Sequence, residues 1–114
     1  TFRSVFQNLI SNSLKYRSQE RRITVDISTS YDHSQKKLYI LLKDNGLGID
    51  LGKHGENVFG MFKRFHNHVE GTGLGLFMVK KQIENFNGTI SLESELDKGC
   101  EFSITIPHNS HNVL

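Results

Sequence analysis

The chain is organised around Asp44-Asn45-Gly46-Leu47-Gly48-Ile49. Alternating apolar residues, Leu38, Ile40 and Leu42, lead into it and read as a strand. That strand carries Asp44 to its end, and two glycines then turn the chain sharply. An ionised Asp is acceptor-only, so in that place it suits a donor such as the amino group of adenine. Guanine offers a carbonyl at the equivalent position, and the clash of two acceptors adds to specificity. Asp-Asn-Gly is also ordinary turn chemistry, so the stretch alone leaves both readings open.

Upstream, Ile23, Val25 and Ile27 alternate with Thr24, Asp26 and Ser28, the pattern of a strand with one buried face. Asp32-His33-Ser34-Gln35-Lys36 is a polar turn, and the two strands it joins are expected to form an antiparallel hairpin. Further back, Phe2 to Tyr16 reads as a helix, with Phe2, Val5, Phe6, Leu9 and Ile10 along one side. Asn8, Asn12, Lys15 and Tyr16 share an adjoining face. Neutral amide oxygens at that spacing suit Mg²⁺, which takes one or two protein ligands and completes its shell with phosphate oxygens and water. The same pattern also describes the wet side of a plain amphipathic helix.

Downstream, periodicity is poor from Asp50 to Glu70, a length typical of functional lids or of disordered segments. Val58, Phe59, Met61, Phe62 and Phe65 lie within it and suggest a short docked helix, with Lys63 and Arg64 beside them. Gly71-Thr72-Gly73-Leu74-Gly75-Leu76 then opens a helix in which Leu76, Val79, Ile83 and Phe86 recur, and Asn87-Gly88 ends it. Glycines at a helix start let N–H groups approach an anion, or serve as a hinge. A P-loop is excluded because Gly-Lys-Ser/Thr is absent, and a dinucleotide fingerprint because no strand precedes the glycines. Two strands finish the pattern, marked by Ile90 and Leu92 and by Phe102, Ile104 and Ile106. Asp97-Lys98-Gly99 turns between them, and Pro107 stops the second.

With 114 residues and moderate apolar content, the chain fits one domain over residues 1–107 with a polar tail, 108–114. The net charge of +2 and scattered basic residues give no footprint for nucleic acid, and pairs such as Arg21-Arg22 and Lys80-Lys81 read as solvated surface. No apolar run is long enough for a membrane span. Cys100, the single cysteine, reads as a small strand residue and suits a reducing cytoplasm. The histidines show no zinc spacing, and no Ser-His-Asp arrangement is visible. The chain begins without Met inside a helical pattern, which suggests a piece of a longer protein. The expected architecture is α+β: a two-layer α/β sandwich whose mixed, mostly antiparallel sheet is covered on one face by helices.

Four stretches together resemble the ATP-binding catalytic domain of sensor histidine kinases, in the superfamily shared with gyrase, Hsp90-type chaperones and MutL. Asn8 to Tyr16 resembles the N box, Asp44 to Ile49 the G1 box, Phe59 to Phe65 the F box and Gly71 to Leu76 the G2 box, in the family's order. Gly88 to Glu95 and Gly99 to Phe102 match the usual ending. The resemblance implies a Bergerat-type ATP-binding fold with ATP and Mg²⁺ as ligands. It implies Asn12 as principal Mg²⁺ ligand with Asn8 supporting, Lys15 at the phosphates and Tyr16 near the nucleoside. Asp44 would accept from the adenine amino group, and Gly48 would let the base approach. Gly71, Gly73 and Gly75, with the amides of Leu74 and Leu76, would receive the phosphates, and Arg64 would reach the γ-phosphate. Gly46, Ile49, Phe59, Phe62 and Thr72 complete the implied nucleotide set. The chain departs from the family where Pro is usual near Met61 and at Asp50, and at Phe77, often Ala, so the lid and second helix are expected to differ in shape.

ATP-hydrolysing members carry Glu at the position of Asn8; Asn takes no proton, so self-contained hydrolysis is not expected. The implied reaction is transfer of the γ-phosphoryl group to a histidine on a separate dimerisation domain of the same protein. A response regulator receiver domain would act downstream, and the piece itself is expected to be monomeric and cytoplasmic. The alternatives are a serine/threonine kinase of the anti-sigma-factor type and a non-catalytic nucleotide-binding module.

Overall fold

The computed structural model describes residues 2–54, 58–60 and 75–107. The elements run α1 (Phe2–Lys15), β1 (Val25–Asp32), β2 (Lys37–Asp44), α2 (Leu51–His54), α3 (Gly75–Asn85), β3 (Thr89–Glu95) and β4 (Gly99–Pro107). The four strands form one sheet in the order β1-β2-β4-β3, and each neighbouring pair is antiparallel. The described strands are therefore wholly antiparallel, within the mostly antiparallel sheet that the pattern predicts.

Register explains which residues are buried. Leu38, Ile40 and Leu42 of β2 lie opposite Ile106, Ile104 and Phe102 of β4, and the last two lie opposite Ile90 and Leu92 of β3. Successive side chains on a strand point to opposite faces, so these residues form one apolar sheet face. Phe2, Val5 and Leu9 of α1 and Leu76, Val79 and Ile83 of α3 join it in one core. Removing each such side chain from water contributes about 1.5–3 kcal/mol. The other face carries Asp26, Lys43, Ser103 and Ser91, all exposed.

Strand β1 departs from expectation. It begins at Val25 rather than Ile23, and Ile27 is 44% exposed. Among the described residues it is an edge strand with no neighbour beyond it, and none of the buried core residues lies on β1, from which only the partly buried Val25 packs against them. The turn after β1 is tied by Asp32 Oδ1, which accepts from the Ser34 hydroxyl at 2.7 Å, the Ser34 N–H at 2.9 Å and the Gln35 N–H at 3.1 Å. The Ser34 hydroxyl, followed by the Gln35 N–H, holds the Asp32 carboxyl below the usual carboxylate range.

The end of α3 is closed by two backbone bonds: Gly88 N–H to Ile83 O at 3.0 Å and Asn87 N–H to Glu84 O at 2.9 Å. This is the Schellman pattern, with Asn87 in the left-handed region at φ 61. Short α2 starts where Asp50 Oδ1 accepts from the Lys53 N–H at 3.2 Å. Of the short helix expected around Val58 to Phe65, Val58–Gly60 form a turn with Val58 buried, and the rest lies outside the described residues, as does the tail 108–114.

Candidate functional site

Alternation along β2 places Asp44 on the helix-facing side, in line with the buried Ile40 and Leu42. That side chain is 7% exposed and closely held. Its Oδ1 accepts from the Gly46 N–H at 3.0 Å and the Cys100 N–H at 3.1 Å, and Oδ2 accepts from the Ser13 hydroxyl at 2.8 Å. A carboxylate offers about four acceptor places. Among the described residues these three donors leave one, on Oδ2.

The loop after Asp44 is held from three sides. Leu47 N–H donates to Tyr16 O at 2.8 Å, at the end of α1. Asp97 N–H donates to Leu47 O at 2.6 Å, and Ile49 N–H donates to Ser94 Oγ at 2.8 Å. The third tie is Arg21. Its Nε donates to Asn45 O at 2.7 Å, Nη2 to Gly46 O at 2.7 Å and Asp97 O at 2.9 Å, and Nη1 to Asp97 Oδ1 at 3.0 Å. The reading of Arg21 as solvated surface is therefore corrected: its planar fork bridges two loops far apart in sequence. Gly48 adopts φ 72, and a Cβ there would overlap the Glu95 carbonyl oxygen, so this position needs glycine for both reasons.

The polar face of α1 turns toward α3. A Cβ on Gly75 would stand 3.3 Å from Asn12 Oδ1, so this amide oxygen lies beside the start of α3. Asn8 Nδ2 donates to Gln82 Oε1 at 3.3 Å, a bond that uses its nitrogen and not its oxygen. Lys15 is exposed at the end of α1, and Tyr16 is half-buried. Among the described residues no group of three or more His, Cys, Asp or Glu could enclose a metal. The Asn12 group beside the start of α3 is a neutral amide oxygen, which fits Mg²⁺ bound jointly with phosphate and water rather than in an all-protein cage.

Asn12, Ser13, Tyr16, Asp44, Gly48 and Ile49 border one cavity of about 20 Å³. That is room for about one water, so a larger ligand would have to displace part of the rim. A larger open groove of about 610 Å³ shares Asp44 and Cys100 with this cavity, but its other lining residues, among them Lys43, Leu51, Glu93 and Glu101, include none from α1. The held carboxylate and the α1 residues meet at the smaller cavity. Phe59 is half-buried against the core, with Lys80 Nζ 5.6 Å from its ring centroid. Phe77 is half-buried, and Lys81 Nζ lies 5.6 Å from its ring centroid. The Leu76 side chain is in the core, leaving its backbone as the part near the helix start. Phe62, Arg64, Gly71, Thr72, Gly73 and Leu74 lie outside the described residues.

Sequence reasoning passed over Ser13, Arg21 and Ser94. Ser13 had a signal: it follows Leu9 by one helical step on the row of Val5 and Leu9, where a polar residue calls for a buried partner. Arg21 and Ser94 had none, since their partners lie in other loops.

The comparisons agree with this fold. A family model described as histidine kinase-, DNA gyrase B- and HSP90-like ATPase matches residues 1–110. Cyanobacterial phytochrome A from Nostoc sp. is 39% identical over 105 residues, which is 90% of this chain and 13% of the relative. Sensor protein RprX from Bacteroides fragilis is 39% identical over 108 residues, 91% of this chain and 20% of the relative. The chain thus spans a fifth or less of the length of these two relatives. The structure of full-length ShkA in complex with AMPPNP matches at a TM-score of 0.77 and 21% identity, covering 98% of this chain and 22% of that one, which shows a shared fold.

Proposed function

This chain belongs to the histidine kinase-, DNA gyrase B- and HSP90-like ATPase family, and from that premise we propose that it binds Mg-ATP and donates the γ-phosphoryl group to a histidine. The histidine would sit on a dimerisation domain of the same full-length protein, and a receiver domain would take the group onward in two-component signalling. The observation that carries the reading is Asp44, a buried carboxylate held by three donors beside the Asn12 face of α1. The names of several relatives, sensor histidine kinase WalK of Bacillus subtilis among them, support the kinase branch.

In this reading the base lies at the smaller cavity, where Asp44 Oδ2 accepts from the adenine 6-amino group and Gly48 keeps the backbone low enough for the ring. Tyr16 packs near the nucleoside. The N–H groups at the start of α3, around Gly75 and Leu76, face the phosphates, where the helix dipole favours negative charge. Asn12, with Asn8, would hold Mg²⁺, which when bound neutralises phosphate charge. Lys15 adds a further positive charge, and Arg64 is assigned to the γ-phosphate. The histidine nitrogen forms a bond to the γ-phosphorus as the bond to the β–γ bridging oxygen breaks, and ADP leaves. Little covalent chemistry falls to this domain, since phosphoryl transfer depends on positioning and charge. We place it in the cytoplasm, where ATP is held.

Calorimetric titration with ATP and GTP, with and without Mg²⁺, tests the binding half. Magnesium-dependent ATP binding with much weaker GTP binding is expected; no binding of either would end the proposal. Incubation with a histidine-bearing dimerisation domain tests the transfer half. An acid-labile phosphoprotein is expected, and an acid-stable one would shift the reading to a hydroxyl acceptor.

A further inference from the structure

We propose that Ser13 is a positioning residue that aims Asp44 at the base. The inference rests on the nucleotide-binding reading above. Ser13 is 3% exposed and stands inside α1, where Ala would be the better helix former. The usual outlet for a hydroxyl in a helix interior is a carbonyl on the preceding turn. Ser13 instead reaches a residue 31 positions away, Asp44 Oδ2, at 2.8 Å. An ionised carboxylate only accepts, so the direction of the bond is fixed and Ser13 donates.

The three donors to Asp44 come from three different parts of the fold. Ser13 belongs to α1, Gly46 to the loop after β2, and Cys100 to β4. Two of them hold Oδ1 and one holds Oδ2, which fixes both the plane of the carboxylate and its rotation. The acceptor place they leave on Oδ2 then has one direction. Ser13 borders the same cavity as Asp44, so the bond is made at the wall where a base would lie. Removing the hydroxyl leaves the carboxylate on the Gly46 and Cys100 N–H bonds alone, so Oδ2 swings, those two bonds loosen with it, and the contact with a 6-amino group loses its preset geometry.

The test compares the chain with Ser13→Ala by calorimetry, using ATP and purine riboside triphosphate, which lacks any 6-substituent. Amide hydrogen exchange is followed on both proteins without nucleotide. Ser13→Ala is expected to weaken ATP about tenfold, the scale of a lost bond to a charged group, and to leave the analogue unchanged. Exchange at Gly46 and Cys100 should quicken while Ile104 is unaltered. Equal weakening of both nucleotides would mean a general structural role, and no weakening an idle hydroxyl; either overturns the inference. If neither protein binds nucleotide, the proposed function fails, and exchange decides the matter alone: unchanged rates at Gly46 and Cys100 would overturn the positioning role.

Discussion

The Cys100 N–H reaches Asp44 while its thiol, half-buried, lies 3.4 Å from Ser94 Oγ. Burial pushes this thiol from an ordinary value of 9.0 up to about 11, with the Ser94 hydroxyl opposing and the Asp44 charge adding to the rise. The folded state therefore keeps a proton that the unfolded chain releases. Its stabilising effect is fully present below about pH 9 and is lost as pH rises toward about 11. Chemical denaturation across that window should show a fall of about 2–3 kcal/mol that Cys100→Ala lacks. At neutral pH the thiol should also react slowly with alkylating reagents. Arg21 makes a second prediction at this scale. Arg21→Lys keeps the charge but loses the fork that joins Asn45 and Gly46 to Asp97. We expect a loss of about 2 kcal/mol in stability, together with weaker ATP binding by calorimetry; a variant as stable and as tight as the parent would remove Arg21 from the site.

At the scale of elements, the junction of α3 and β3 leaves no room for a side chain. A Cβ on Gly88 would stand 2.7 Å from Thr105 O, a backbone atom of β4. Gly88→Ala should cost about 1–3 kcal/mol, because backbone must shift or the helix end must lift from the sheet. Urea titration gives the number, and a neutral result would mean that the end of α3 is loosely seated. The β1–β2 turn should respond in the opposite sense. Lys36 sits at φ 53, where an L side chain costs roughly 1–2 kcal/mol. Lys36→Gly relieves this at a conformational cost of roughly 0.5–1 kcal/mol, so a net gain of about 0.5 kcal/mol is expected, read as a rise in melting temperature. Much of the element map was legible because each element advertised itself locally: α1 by its apolar row, β2 and β4 by alternation, α3 by Asn87-Gly88 at its end. The start of β1 was not, since Ile23 continues the alternation and only the missing pairing at the edge shows that the strand has not yet begun.

For the whole molecule, nucleotide binding and folding are linked. Mg-ATP at a hundred times its dissociation constant should stabilise the chain by about 2.7 kcal/mol, raising the melting temperature by several degrees. GTP at the same concentration should leave it almost unchanged, and an equal rise with GTP would contradict Asp44 as the selector of the base. The sandwich of helices and antiparallel strands was readable along the chain, because the periods of its apolar residues are properties of each segment. So were the candidates Asn8, Asn12, Asp44 and the glycines, whose residue types and order form a pattern along the chain. Only the tertiary structure decided that Asp44 is gripped by Ser13 and Cys100, that Arg21 is a clamp, and that Asn12 meets the start of α3. Those contacts join residues dozens of positions apart, and packing brings them together through register and helix docking, which no local period encodes.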